Sequence, residues 1–129
     1  MPPSPSRRRN NKNKRQIAER AGLRGEALAA LLLQLKFYRI RERRYKTPVG
    51  EIDLIAERNG TIVFIEVKTR AHRAGEAEAL EAVNTARLAR AAQYWLASNP
   101  READKFCRFD VIFLAPNSWP RHLINAFES

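Results

Sequence analysis

Two acids and a lysine stand at the far ends of two apolar runs in the stretch GEIDLIAERNGTIVFIEVKTR, residues 50–70. Asp53 opens the first run beside Glu51; Glu66 and Lys68 close the second. Two carboxylates brought together can hold a divalent cation, and oxygen ligands suit Mg²⁺. Such a cation polarises a phosphodiester and acidifies a water, while a nearby lysine orients that water or offsets developing charge. The pattern becomes chemistry only if the chain brings both ends together.

Asn59-Gly60 between the two runs is a strong signal for a two-residue type I′ hairpin. That loop pairs Arg58 with Thr61 and, counting outward, Asp53 with Glu66 and Glu51 with Lys68. Asp53–Glu66 is then a non-hydrogen-bonded pair, with Cα atoms about 4.5 Å apart. Alternation places Glu51, Asp53, Ile55, Phe64, Glu66 and Lys68 on one face, and Ile52, Leu54, Ala56, Val63, Ile65 and Val67 on the other. At ~5 Å and an effective dielectric of ~20, two carboxylates repel by about 3 kcal/mol. A divalent cation, the ammonium of Lys68 or a raised carboxyl pKa each relieves this, and a bulge would undo the register. The plainer reading is a solvated face with surface ion pairs of little energetic value. Ile55, Ile62 and Phe64 on that face argue against it.

The 129 residues make one domain with a single sizeable core. The net charge of +10 and a pI near 10.6 point toward polyanions. Residues 1–25 carry eight basic groups against Glu19 alone, so most of the surplus is an arm. Within it Arg7, Arg8, Arg9, Lys12, Lys14 and Arg15 are candidate phosphate contacts, or else a solvated tail that aids solubility. The arm at residues 1–16 lacks apolar periodicity and is expected to be disordered, with the folded domain over 17–129. No apolar stretch follows it as a signal peptide requires, and none approaches a membrane span, so a cytoplasmic protein without a membrane partner is expected. Cys107 is the only cysteine and is expected to be a small buried hydrophobe in a reducing compartment.

Leu28, Leu31, Leu32 and Leu35 follow the spacing of a buried helical stripe; Ala30, Leu33 and Phe37 continue a second ridge that begins at Glu26. FYRIRERRY reads as a charged edge strand. EAEALEAVNTARLARAAQYWLAS reads as one long helix with Leu88, Ala91, Ala92 and Trp95 on one face, stopped by Asn99-Pro100. RFDVIFL is a fourth strand, and RHLINAFES is a short element of open type. The order αβββαβ implies an α/β layer fold with a mixed sheet. His72 and His122 look like isolated polar residues. No nucleophile–histidine–acid arrangement and no phosphate-cradling glycine loop stands out.

Four segments, RGEALAALLL, GEIDLIAERNGTIVFIEVKTR, RFDVIFL and HLINAF, together resemble the YraN-like family of small bacterial proteins. That family is grouped with the restriction-endonuclease-like, Holliday-junction-resolvase-like PD-(D/E)xK superfamily. The resemblance covers about residues 20–127 and implies an αβββαβ core with a mixed central sheet flanked by helices. It also implies a Mg²⁺-dependent (or Mn²⁺-dependent) endonuclease or branched-DNA resolvase. A catalytically silent nucleic-acid-binding module or an adaptor on the same fold is the alternative. Carried over by residue, Asp53 and Glu66 become metal ligands, Lys68 the catalytic lysine and Glu26 an auxiliary acid near the metal. Glu51 matches the family's GEID and is a partner for Lys68 or part of the site; Arg108 and Asp110 match RFDV as an ion pair or a site element. The family usually carries a lysine where Asn84 stands here. Nucleic acid, DNA first, is the implied partner, and a homodimer is compatible.

If the arm binds phosphates, deleting residues 1–16 weakens binding of unrelated sequences equally. The salt slope, ~0.9 per phosphate neutralised on duplex DNA, flattens at the same time. Titrations at several ionic strengths measure both, and unchanged binding would reduce the arm to a tail.

Overall fold

The computed structural model describes Gln16 and residues 24–70 and 76–127. Residues 1–15 of the arm, residues 17–23 and His72 lie outside the described residues. The first helix, α1, is described over residues 24–35. Strands β1 (Arg39–Thr47), β2 (Gly50–Arg58) and β3 (Thr61–Thr69) follow, then helices α2 (Glu76–Glu81) and α3 (Thr85–Ser98). A 3-10 turn at Pro100–Glu102 leads to β4 (Phe106–Leu114), and β5 (Arg121–Phe127) closes the chain. The mixed α/β architecture and αβββαβ order are as expected, and the segment of open type is a fifth strand.

The five strands lie in sequence order, β1 to β5. Only β3 and β4 run parallel; the other neighbours are antiparallel. A parallel step needs a crossover, which α2 and α3 supply across one face. That face buries Ile55, Ile62, Phe64, Phe109, Val111 and Phe113 beneath Leu88, Ala91, Ala92 and Trp95. The four helix residues are those chosen by periodicity. On the other face Leu54, Ala56, Val63, Ile65, Ile112 and Leu114 pack beneath Ala29, Ala30 and Leu33 of α1.

Three expectations are corrected. The leucine stripe of α1 is not the buried one: Leu28, Leu31 and Leu35 are exposed, as is Phe37, while Ala29, Ala30 and Leu33 are fully buried. Both ridges are apolar, so period alone could not choose. The ridge with two alanines lets the helix approach the sheet, and Gly25 lies so close that a Cβ there would meet Thr69 Oγ1 at 3.1 Å. The long second helix is broken, because Asn84 caps α3 instead of continuing α2. Cys107 is exposed, since the first two residues of β4 run past the cover of the helices.

Unfolding in urea reads the α1 correction directly. Leu33→Ala is expected to lose about 2–5 kcal/mol of stability, as a core truncation does. Leu35→Ala, at 70% exposure, is expected to change it by less than about 0.5 kcal/mol.

Candidate functional site

The β2–β3 hairpin has the register that Asn59-Gly60 dictates, from Arg58–Thr61 to Leu54–Ile65. Both turn residues take the left-handed conformation, φ 51° and 76°. The ladder ends there, and Asp53 and Glu66 are not the directly opposed pair that counting outward predicts. Continued, it would direct the Val67 N–H to the carbonyl of Ile52. Instead Asp53 Oδ2 accepts that N–H at 2.8 Å. The side chain has replaced a backbone acceptor, and the two strands part. Beyond this point β2 pairs only with β1, and β3 only with β4.

The fork disturbs its neighbours. Alternation puts Ile52 with Leu54, yet Ile52 packs with Ile55 and Phe64 on the α3 face. The β1–β2 register also skips Asp53, where its counterpart Arg44 stands in the left-handed region at φ 49°. That conformation strains a non-glycine residue. Arg44 Nε lies 3.6 Å from Glu26 Oε2 and 3.7 Å from Glu51 Oε1. Glu51 therefore pairs with Arg44.

The fork opens into a cleft of about 350 Å³ lined by Glu51, Asp53, Glu66, Lys68, Asn84 and Arg87, with Ala82, Val83 and Leu88. The structure thus brings together Asp53, Glu66, Lys68, Glu51 and Asn84. Glu26 stays outside the lining, held by Arg44, although the charge of Asp53 acts on it. Burial raises the Glu26 carboxyl above its usual range, with Arg44 opposing.

Within the cleft, Glu66 carries the largest electrostatic signal. Burial first, then the charge of Asp53, pushes its carboxyl up to about 7, with Lys68 opposing. Lys68 Nζ lies 3.4 Å from Glu66 Oε1. Asp53 is also raised, mainly by burial, against the Val67 N–H. Two of the expected escapes from repulsion, a raised pKa and the lysine, are thus realised. Among the described residues no three His, Cys, Asp or Glu side chains gather into a metal-binding group. A cation held by Asp53 and Glu66 would keep its other positions for water and substrate oxygens, as Mg²⁺ usually does.

Asn84 is the N-cap of α3, its Oδ1 accepting the Arg87 N–H at 3.0 Å. This cap aims the N-terminal end of the helix, favourable to anions, at the cleft. Arg87 itself is the residue that sequence reasoning missed. Its stem crosses Gly50 so closely that a Cβ there would meet Arg87 Cγ at 2.6 Å, and it pairs with no carboxylate among the described residues. The Asn-Thr pair before it was the available signal, since asparagine favours caps over helix interiors.

Arg108 and Asp110 belong to a separate network. Asp110 is fully buried and accepts from Arg108 Nε (2.9 Å) and Nη2 (3.0 Å), His122 Nε2 (2.6 Å) and the Asn125 N–H (2.9 Å). Lys36 Nζ donates to His122 Nδ1 at 2.7 Å, so His122 is not isolated. Burial alone would raise Asp110, but His122, Arg108 and Asn125 outweigh it and hold the carboxyl low. Neither Arg108 nor Asp110 lines the cleft.

Residues 25–114 match the family described as "Uncharacterised protein family UPF0102". The chain belongs to UPF0102. A UPF0102 protein of Methylorubrum extorquens is 49% identical over 115 residues, 89% of this chain and 90% of that one. Another, of Methylorubrum populi, is 47% identical over 127 residues, 98% and 97% of the two chains. One of Parvibaculum lavamentivorans is 49% identical over 110 residues, 85% and 83%. The UPF0102 match contains every cleft residue and Glu26, but neither the arm nor β5.

The cleft makes the stability of this UPF0102 chain depend on pH. The Glu66 carboxyl, raised from 4.5 to about 7, keeps in the folded state a proton that the unfolded chain releases. The resulting stability is complete below about 4.5 and is lost as pH rises through about 7, roughly 3 kcal/mol at ~1.4 kcal/mol per unit. Melting of the metal-free protein across that window should show the decline, and Glu66→Gln should flatten it. An equal decline in the variant would place its origin elsewhere.

Proposed function

We propose that this protein binds nucleic acid and hydrolyses its phosphodiester backbone with a divalent cation, Mg²⁺ or Mn²⁺, held by Asp53 and Glu66. The observation that carries the reading is one cleft where two partly buried carboxylates meet Lys68 and an uncommitted Arg87. The donor set fits a hard cation, because Asp53 and Glu66 offer oxygens alone and Glu66 lacks enough nearby positive charge to ionise fully at neutral pH. Bound there, the cation would polarise the phosphate and make an adjacent water more acidic.

The chain's own groups do the rest. Asp53 lines the cleft with one oxygen held by the Val67 N–H. Glu66, which keeps its proton up to about 7, would release it on holding the cation. Lys68, within 3.4 Å of Glu66, orients the attacking water or offsets the charge that develops on the phosphate. Arg87 and the N-terminal end of α3 face the phosphate from the opposite wall. Arg87 supplies the helix cation that Asn84 lacks, so Asn84→Lys is no route to higher activity: it removes the cap instead. The +10 charge supports a polyanionic substrate.

A cleavage assay with Mg²⁺ or Mn²⁺ over linear, single-stranded and branched DNA and structured RNA tests the reading. Cleavage should be abolished by Glu66→Ala and fall about 100-fold or more in Lys68→Met, while Arg87→Gln mainly raises KM. Cation affinity should rise with pH through about 7, as the Glu66 proton is displaced. Binding without cleavage of any of these substrates would favour the silent nucleic-acid-binding module on the same fold.

A further inference from the structure

The turn between β4 and β5 presents Trp119 with 88% of its surface exposed. The other tryptophan, Trp95, is buried in the core. The turn is braced at both ends. Asn117 takes a left-handed conformation, φ 57°, and Ser118 N–H donates to Ala115 O at 3.4 Å. After Trp119 comes Pro120, then Arg121, whose Nη1 lies 2.6 Å from Glu76 Oε2 on α2. A large aromatic surface held outward on a braced turn loses little freedom on binding.

Its place in the sheet ties it to the cleft. Lys68 neighbours Phe113, and Phe113 neighbours Arg121. With strands about 4.8 Å apart, Arg121 sits roughly 10 Å from Lys68, and Trp119 is two residues beyond. Arg70 lies two residues past Lys68 along the line of β3, toward the end of the sheet from which the turn projects. It follows β3 directly, its N–H donates to Leu114 O at 2.8 Å, and among the described residues its guanidinium donates to the carbonyl of Thr69 and to no carboxylate. Lys68, Arg70 and Trp119 thus gather at one end of the sheet: a reacting centre, a cation that meets no carboxylate among the described residues, and an exposed ring. Aromatic rings stack on unpaired bases, and arginines take the phosphates between them. The family match ends at residue 114, so Trp119 lies beyond it.

We infer that Arg70 and Trp119 form a subsite for an unpaired nucleotide, Trp119 stacking on the base and Arg70 holding its phosphate. This subsite rests on the nucleic-acid reading above and narrows it. The favoured substrate has a single-stranded segment a few nucleotides from the phosphate at Asp53 and Glu66. A blunt duplex has no base to offer the ring.

The full-length protein is titrated with a short oligothymidylate, a blunt duplex and the same duplex carrying a single-stranded overhang. Binding is followed by tryptophan fluorescence and, separately, by anisotropy of labelled DNA. Oligothymidylate and the overhang are expected to quench the exposed tryptophan, while the blunt duplex does not. Trp119→Ala should weaken overhang binding about tenfold or more, abolish the quench and leave blunt-duplex binding unchanged. Trp119→Phe should retain most of the affinity. Arg70→Gln should lower the salt slope for the overhang substrate by about one phosphate contact. If Trp119→Ala binds the overhang as the parent does, or loses all substrates equally, the subsite is overturned and the cleft reading stands. If the parent binds none of the DNAs, the nucleic-acid reading itself fails, and Trp119 becomes a contact for a protein.

Discussion

The Val67 N–H has two possible acceptors across the hairpin, the carbonyl of Ile52 and the carboxylate of Asp53, and it donates to the carboxylate. The rest of the site depends on that exchange. A backbone acceptor would continue the ladder and press two carboxylates together on a closed sheet. With the side chain as acceptor, β2 and β3 separate while each keeps its outer partner. The gap is where Glu66, Lys68 and Arg87 meet. Ile52 changes faces and Arg44 takes a strained conformation in consequence, both on the strand side of the same fork.

Neighbouring strands show how burial and donors together decide what an acid does. Ile65 of β3 lies beside Asp110 of β4, so Glu66 and Asp110 sit one register step apart on opposite faces. Asp110 receives a bidentate arginine, a histidine and a backbone N–H, and is held ionised. The left-handed Asn125, φ 55°, turns its N–H toward that carboxylate. Glu66 has one lysine at 3.4 Å and a second acid nearby, and it retains its proton to about 7. A fully satisfied buried acid locks strands together. An undersupplied one keeps its proton instead.

A third cluster holds the hairpin end. Arg41 is the extra residue of the β1 bulge; its Nη1 lies 2.7 Å from Glu57 Oε1 and its Nη2 3.0 Å from Glu102 Oε1. Lys105 Nζ closes the set at 2.6 Å from Glu57 Oε2. Hydrogen bonds from Arg41 and Lys105 hold the Glu102 carboxyl down near 2. The sheet is therefore tied by ion pairs where the strands are turned and left open where they fork. Among the described residues, the carboxyls with raised pKa values, Glu26, Asp53 and Glu66, all lie at the open end.

By itself the sequence determined most of the elements and which hairpin residues share one end of the sheet. Local signals are strong there: Asn59-Gly60 sets a hairpin register through turn geometry, and the 3.6-residue period picks out Leu88, Ala91, Ala92 and Trp95. The same register carries Asp53, Glu66 and Lys68 to one end of the sheet. Only the tertiary structure decided which ridge of α1 is buried, because both ridges are apolar and the choice depends on how close a helix of alanines can come. It also decided where the hairpin stops. Counting residues extends a ladder indefinitely, whereas a carboxylate that can reach a backbone N–H ends it. Arg87 enters the site for a similar reason: its position depends on a helix that restarts at Asn84 and on Gly50, a residue of a distant strand that no local pattern connects to it.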